Sequence, residues 1–238
     1  MSSYPSFRDR PRIAVLTAAS RDHDHLLGHV DGLAVSTWPP DAHVVVSVQD
    51  RALTRGRLPI RSDRWSTDVH VLASRHPHWL LPAMHLAAAR ALRHAPDVLI
   101  YLSVHCIPSP RLIRTLVEEA MANPSTAPTL WSGKVVPLMP CPGPAYPVRQ
   151  LDELILQAPG IQEDSTSPPW SEAFAVRATD WSSVWSRVEQ ELPFTNDLAA
   201  VTQVLRDCGV QMRTVSGGVA YRQHGSPART AVAAAAGA

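Results

Sequence analysis

A chain of 238 residues and 26.0 kDa is long enough to bury a substantial core and suits one large α/β domain. Its formal net charge of +1 gives no electrostatic case for nucleic acid or an anionic membrane surface, and no apolar run is long enough to span a bilayer. Three widely spaced cysteines, Cys106, Cys141 and Cys208, form no disulfide framework and suit a reducing cytoplasm, and the start MSSYPSFRDRPR lacks the apolar segment of a signal peptide.

Residues 1–11 read as a loose polar start and 228–238 as a frayed alanine-rich tail, leaving 12–227 as one domain. Arg12 to Thr17 reads as a first buried strand. Ser20 or Asp22 caps a helix from about His23 to Ser36, with Leu26, Leu27, Val30, Leu33 and Ala34 on one face. Trp38-Pro39-Pro40-Asp41 ends it, and His43 to Val48 is a second strand that stops at Gln49-Asp50. A strand, a helix and a strand at this spacing imply parallel pairing. Arg51 to Ser66 is arginine-rich and irregular. A short strand, Val69 to Leu72, and a helix from about Ala83 to His94 follow.

The run Val98-Leu99-Ile100-Tyr101-Leu102 has the composition of a strand buried on both faces. Pro108 and Pro110 bar its continuation, because proline has no amide donor and biases its predecessor away from helix. Ligands bind at the carboxyl ends of strands in open α/β sheets, so Ser103, His105 and Cys106 stand where chemistry is expected. Beyond them the pattern predicts a helix from Ser109 to Met121. A proline-rich turn, Cys141 to Pro147, a short helix, Leu151 to Gln157, and a polar stretch, Ala158 to Pro169, come next. A helix carrying Trp181, Val184 and Trp185 follows. A helix from Leu198 to Cys208 is stopped by Gly209, and a strand spans Val210 to Val215.

One resemblance runs through these segments. Val98 to Leu102, then Ser103-Val104-His105, then Cys106-Ile107-Pro108-Ser109-Pro110 resembles the metal-binding strand end of family 2 glycosyltransferases with the GT-A fold. That family has Asp-x-Asp where this chain has Ser103 and His105. The opening, from Leu16-Thr17 through Arg21 and Pro39-Pro40-Asp41 to Val44-Val45-Val46 and Asp50, is similar to the family's nucleotide-binding start. The resemblance implies that Thr17 and Arg21 serve the nucleotide and that Asp50 bonds its base. Met84-His85 stands at an Arg-Asn pair that faces the nucleotide, so His85 is placed there too. Leu130 to Pro137 and Trp170 to Val176 each resemble a strand of the family. Ser216 to His224 resembles the closing segment, in which a histidine completes the metal and diphosphate site; His224 holds that place, beside Arg222. The Gly-Gly-Phe-Asp-Glu and Glu-Asp-x-Asp motifs are not intact. Counting back from Gly209 puts Asp197 at the Glu of the second motif, and a one-residue shift makes it the general base.

The fold so implied is GT-A-like α/β, with a mostly parallel twisted sheet and helices on both faces. The donor implied is a nucleotide-diphosphate sugar, passed to an unnamed acceptor. Three readings follow. In the first, transfer proceeds without metal, or with Mn²⁺ or Zn²⁺ rather than Mg²⁺, held by His105 and His224; Arg21 and Arg222 neutralise phosphate. In the second, catalysis is lost and the chain is a binding or partner subunit, with a protein partner or a homodimer. In the third, the cleft serves another acid–base reaction. Taken without the resemblance, Asp50 opens a turn and Cys106 is a buried small residue. On the same basis His23, His25, His29, His43, His70, His76, His78 and His94 are surface or capping residues. No glycine-rich phosphate loop or paired Cys/His zinc spacing occurs.

Overall fold

The computed structural model describes residues 10–20, 23–74, 78–122, 127–139, 146–151, 171–192, 195 and 197–223. Arg21, His76, Cys141, the polar stretch 158–169, His224 and both termini lie outside them.

Eight strands form one sheet: β1 Ile13–Ala19, β2 Ala42–Val48, β3 Ser66–Leu72, β4 Val98–Leu102, β5 Cys106–Pro108, β6 Thr129–Pro137, β7 Ala173–Arg177 and β8 Gln211–Arg222. Their spatial order is β3-β2-β1-β4-β7-β6-β8-β5. The half from β3 to β4 is parallel throughout, as the strand–helix alternation predicts. The other half is mixed: β7 runs antiparallel to β4 and β6, β8 parallel to β6, and β5 antiparallel to β8.

The apolar runs are long because these strands are covered on both sides, with Thr17, His43 and Ser47 as buried polar exceptions. Every residue of β1, β2 and β4 is buried. Alternate side chains feed opposite layers. Ala14, Leu16, Leu99 and Tyr101 meet α2 (Leu80–Ala91), α4 (Trp181–Glu191) and α5 (Leu198–Asp207). Ile13, Val15, Val98, Ile100 and Leu102 meet α1 (His23–Val35) and α3 (Leu112–Ala122).

The structure corrects four expectations. Helix α2 starts at Leu80, ahead of the expected Ala83, since Pro82 falls in a first turn whose amides need no helical partner. The strand of 170–176 is shifted to Ala173–Arg177. The strand expected over Val210 to Val215 runs on to Arg222, carried through Gly217 at φ +91° opposite a register shift between Ser132 and Lys134. The chain also resumes a strand, β5, after the break at Ser103. Pro108 is tolerated there because β5 is the last strand of the sheet.

Helix α1 lies very close to this last strand. A Cβ at Gly32 would stand 2.6 Å from Pro108 Cδ, and one at Gly28 2.7 Å from Gln223 Oε1. The two glycines are four residues apart, so they share a face of the helix.

Candidate functional site at the end of strand β4

Strand β4 ends in a tight turn. The Cys106 amide donates to the Ser103 carbonyl at 2.9 Å, and the His105 amide points at Ser103 Oγ at 3.4 Å. Two other strands hold this turn. The Ser103 amide donates to the Glu172 carbonyl at 2.8 Å, just before β7, and the Gln223 amide donates to the His105 carbonyl at 2.8 Å, just after β8. Gln223 Nε2 donates to the His25 carbonyl at 3.0 Å, which ties in the first turn of α1. The His25 and His105 rings meet edge to face, 4.6 Å between centroids.

Beside the turn stands an ion pair of fork geometry. Arg222 donates Nε to Glu172 Oε2 at 3.0 Å, and its Nη2 lies 2.7 Å from Glu172 Oε1. Both side chains are mostly buried, 26% and 17% exposed. The Cys106 thiol donates to Glu172 Oε2 at 3.3 Å. Burial first, and the Glu172 charge second, push that thiol's pKa up, so Cys106 is a thiol and no nucleophile, in line with the plain reading of the sequence.

Beneath lies a buried polar chain. Thr17 Oγ1 contacts His29 Nε2 at 3.1 Å and His43 Nε2 at 3.0 Å, and His29 Nδ1 reaches the Cys106 carbonyl at 2.9 Å. All three side chains are fully buried. Desolvation lowers the His29 pKa to about 4 and that of His43 well below its ordinary value.

The candidate residues therefore divide. Ser103, His105 and Arg222 gather at one place. Thr17 lies under it rather than in it, its hydroxyl engaged by two imidazoles; strand β1 runs two residues past the expected end and buries it. Asp50 follows β2 and accepts the Ala52 amide at 2.9 Å, the turn geometry expected of an aspartate there. His85 departs from its expected place. It packs edge-on against Trp181 and Trp185 of α4, with Nδ1 3.9 Å from Glu189, so it belongs to a helix–helix contact. Burial lowers its pKa and Glu189 opposes that. Asp197 caps α5, its Oδ1 accepting from Ala199 at 2.9 Å and Ala200 at 3.0 Å. Arg21 and His224 fall outside the described residues. His29 and His43, expected at the surface, are buried because each finds a polar partner. Sequence reasoning missed Glu172 and His25: Glu172 fills a variable position of its pattern, and its partner is 50 residues away.

No protein-family model matches this chain, and no curated protein matches it in sequence. Its fold does have solved counterparts. It is similar to GalNAc-T7 in complex with UDP, GalNAc and Mn²⁺ (TM-score 0.61, 12% identity, 92% of this chain and 45% of that one). It is similar to residues 1–349 of S. aureus TarS (TM-score 0.53, 12% identity, 89% and 60%). It is also similar to the mannosyltransferase PcManGT from Pyrobaculum calidifontis with GDP-Man and Mn²⁺ (TM-score 0.50, 17% identity, 94% and 60%). The chain thus spans about half the length of these structures. The fold is the GT-A-type α/β fold of glycosyltransferases. Two of these structures hold Mn²⁺, an ion that favours oxygen donors. The donors described at the end of β4 do not fit it: both Glu172 oxygens face Arg222. Among the described residues no group of three or more His, Cys, Asp or Glu is gathered for a metal ion. No helix among the described residues is long and apolar enough to cross a membrane.

Proposed function

We propose that this chain is a family 2 glycosyltransferase homologue that binds a nucleotide-diphosphate sugar at the carboxyl ends of β1 and β4. Arg222 takes the charge-neutralising part there. The observation that carries this reading is the Arg222–Glu172 pair beside Ser103, in a GT-A-type fold. Sugar transfer breaks the bond between the anomeric carbon and the diphosphate oxygen, and the electron pair leaves with the diphosphate. A guanidinium presents paired N–H donors to phosphate oxygens and needs no bound ion to do so. The diphosphate competes with Glu172 for that fork. The acceptor hydroxyl loses its proton to a base, for which Asp197 is the sequence candidate. Two further observations favour a second reading, a noncatalytic binding subunit: Arg222 is already neutralised by Glu172, and Asp197 already caps a helix.

Calorimetry with UDP, GDP and dTDP sugars, in EDTA or with Mn²⁺ or Mg²⁺, separates these. Binding in EDTA, weakened about tenfold by Arg222→Gln and accompanied by slow donor hydrolysis, supports the transferase. Binding without hydrolysis or transfer supports the binding subunit. A gain with Mn²⁺ that His105→Ala removes would favour an imidazole-held ion over Arg222. Absence of nucleotide binding at millimolar concentration overturns the donor site altogether.

A further inference from the structure

A second concave site lies on the outer side of α1. A cavity of about 470 Å³ opens between the last turns of α1, the turn 60–64 and the segment 146–149, lined by Asp31, Arg61, Arg64, Tyr146 and Arg149. That volume is in the range of small-molecule sites. We propose that this cavity binds the phosphate of a small sugar or polyol phosphate.

Charge is the first argument. Arg61 pairs with Asp31 at 2.5 Å. Arg64 donates Nη1 to the Ala34 carbonyl at 2.5 Å, a neutral acceptor that fixes the guanidinium, and among the described residues no carboxylate pairs with it. Arg149 is exposed, and among the described residues no carboxylate lies within ion-pair distance of it. Three guanidinium groups face one carboxylate in a chain whose total is only +1. Such a concentration on so nearly neutral a protein attracts an anion locally, without a general basic surface.

Shape is the second. Guanidinium groups suit phosphate because their paired donors match its oxygens. Tyr146 donates its hydroxyl to the Met139 carbonyl at 3.0 Å, which holds the ring in the wall as a surface for a polyol or sugar body. The cavity is separate from the end of β4. Asp31 follows His25 by six residues on α1, about 9 Å along the axis and on another face. The inference therefore does not depend on what the β4 site does.

The test is calorimetry with glycerol 3-phosphate and inorganic phosphate, at matched ionic strength, against glycerol and sodium chloride. Both phosphates are expected to bind and glycerol not to. The double variant Arg64→Ala/Arg149→Ala should lose at least about tenfold in affinity, and His105→Ala should keep it within about twofold. Arg149→Glu, a single exposed change, should lose binding as well while its melting temperature stays that of the wild type. No heat at millimolar phosphate, or binding that survives in the double variant, overturns the proposal. So does binding lost with Arg222→Gln but not with the double variant, since the phosphate would then sit at the β4 site.

Discussion

At the scale of single residues, Thr17 decides which protons His29 and His43 carry. The Cys106 carbonyl only accepts, so a neutral His29 must hold its hydrogen on Nδ1. Its Nε2 then accepts from the Thr17 hydroxyl, and the Thr17 oxygen accepts from His43 Nε2–H. His43 Nδ1 is left as a bare acceptor, and it is indeed buried without a partner. Protonation of His29 would reverse this chain in a dry interior. Since its pKa falls from 6.5 to about 4 on folding, the unfolded chain takes up the proton first as the medium is acidified. Stability is fully present above about pH 6.5 and declines toward pH 4, by up to ~3 kcal/mol from His29 alone. Urea midpoints at several pH values should show this, with a shallower decline in His29→Gln; equal slopes would remove His29 from the account. The pair at Glu172 makes a different prediction. Glu172→Gln takes this carboxylate from the mostly buried Arg222, which costs about 2 kcal/mol, less than for a wholly buried pair. If Arg222 serves a diphosphate, the same change removes a competitor for its fork, and calorimetry should show nucleotide affinity rising while the denaturation midpoint falls. A fall in both would mean that Glu172 helps bind the donor.

At the scale of elements, Asp197 separates a structural role from a chemical one. Asparagine caps a helix about as well as aspartate, and alanine does not. Asp197→Asn should hold the stability of α5 while Asp197→Ala loses about 1 kcal/mol. A base at this position predicts that both variants lose transfer; a cap alone predicts that Asp197→Asn keeps whatever activity the wild type has. The elements themselves were unevenly legible. Strands β1, β2 and β4 show in the sequence because burial on both faces demands apolar runs, Ile13 to Leu16, Val44 to Val46 and Val98 to Leu102. Helix α5 shows because Gly209, at φ +74°, marks its end, while the capping role of Asp197 shows only in the fold. Strand β5 does not show, because three residues that include Pro108 and precede Pro110 become a strand only when β8 arrives to pair with them. The site is legible to the same degree: Ser103 and His105 follow from where β4 stops. Glu172, Arg222 and His25 depend on pairings between segments far apart in the chain, and His85 turns toward Trp181 and Trp185 for reasons that no local pattern carries.

At the scale of the molecule, the site exists because the last strand of the sheet comes back to the first helix. In the strand order β5 is as far from β3 as a strand can be, and four strands separate it from β1. Yet Ile107 and Pro108 lie against Gly28 and Gly32 of α1, His29 of α1 reaches the Cys106 carbonyl, and the Thr37 amide donates to the Pro110 carbonyl at 2.8 Å. This closure brings the end of β8, where Arg222 pairs with Glu172 and Gln223 reaches the His25 carbonyl, to the turn after β4 and the first turn of α1. It depends on the absence of side chains at two helix positions. Alanine normally favours a helix over glycine by about 1 kcal/mol, so Gly32→Ala should stabilise α1 taken alone. In the folded chain its methyl group would meet Pro108 Cδ at 2.6 Å, and either α1 or β5 must move. Overpacking of this kind costs about 1–3 kcal/mol and outweighs the helical gain. Gly56→Ala supplies the control, since nothing lies within 4 Å of a methyl group there. Denaturation midpoints should fall for Gly32→Ala and hold for Gly56→Ala. If the nucleotide sits where β4, β8 and α1 meet, its affinity should fall with Gly32→Ala as well, although that residue touches none of the proposed ligand contacts. A loss of stability with unchanged affinity would place the nucleotide elsewhere on the sheet.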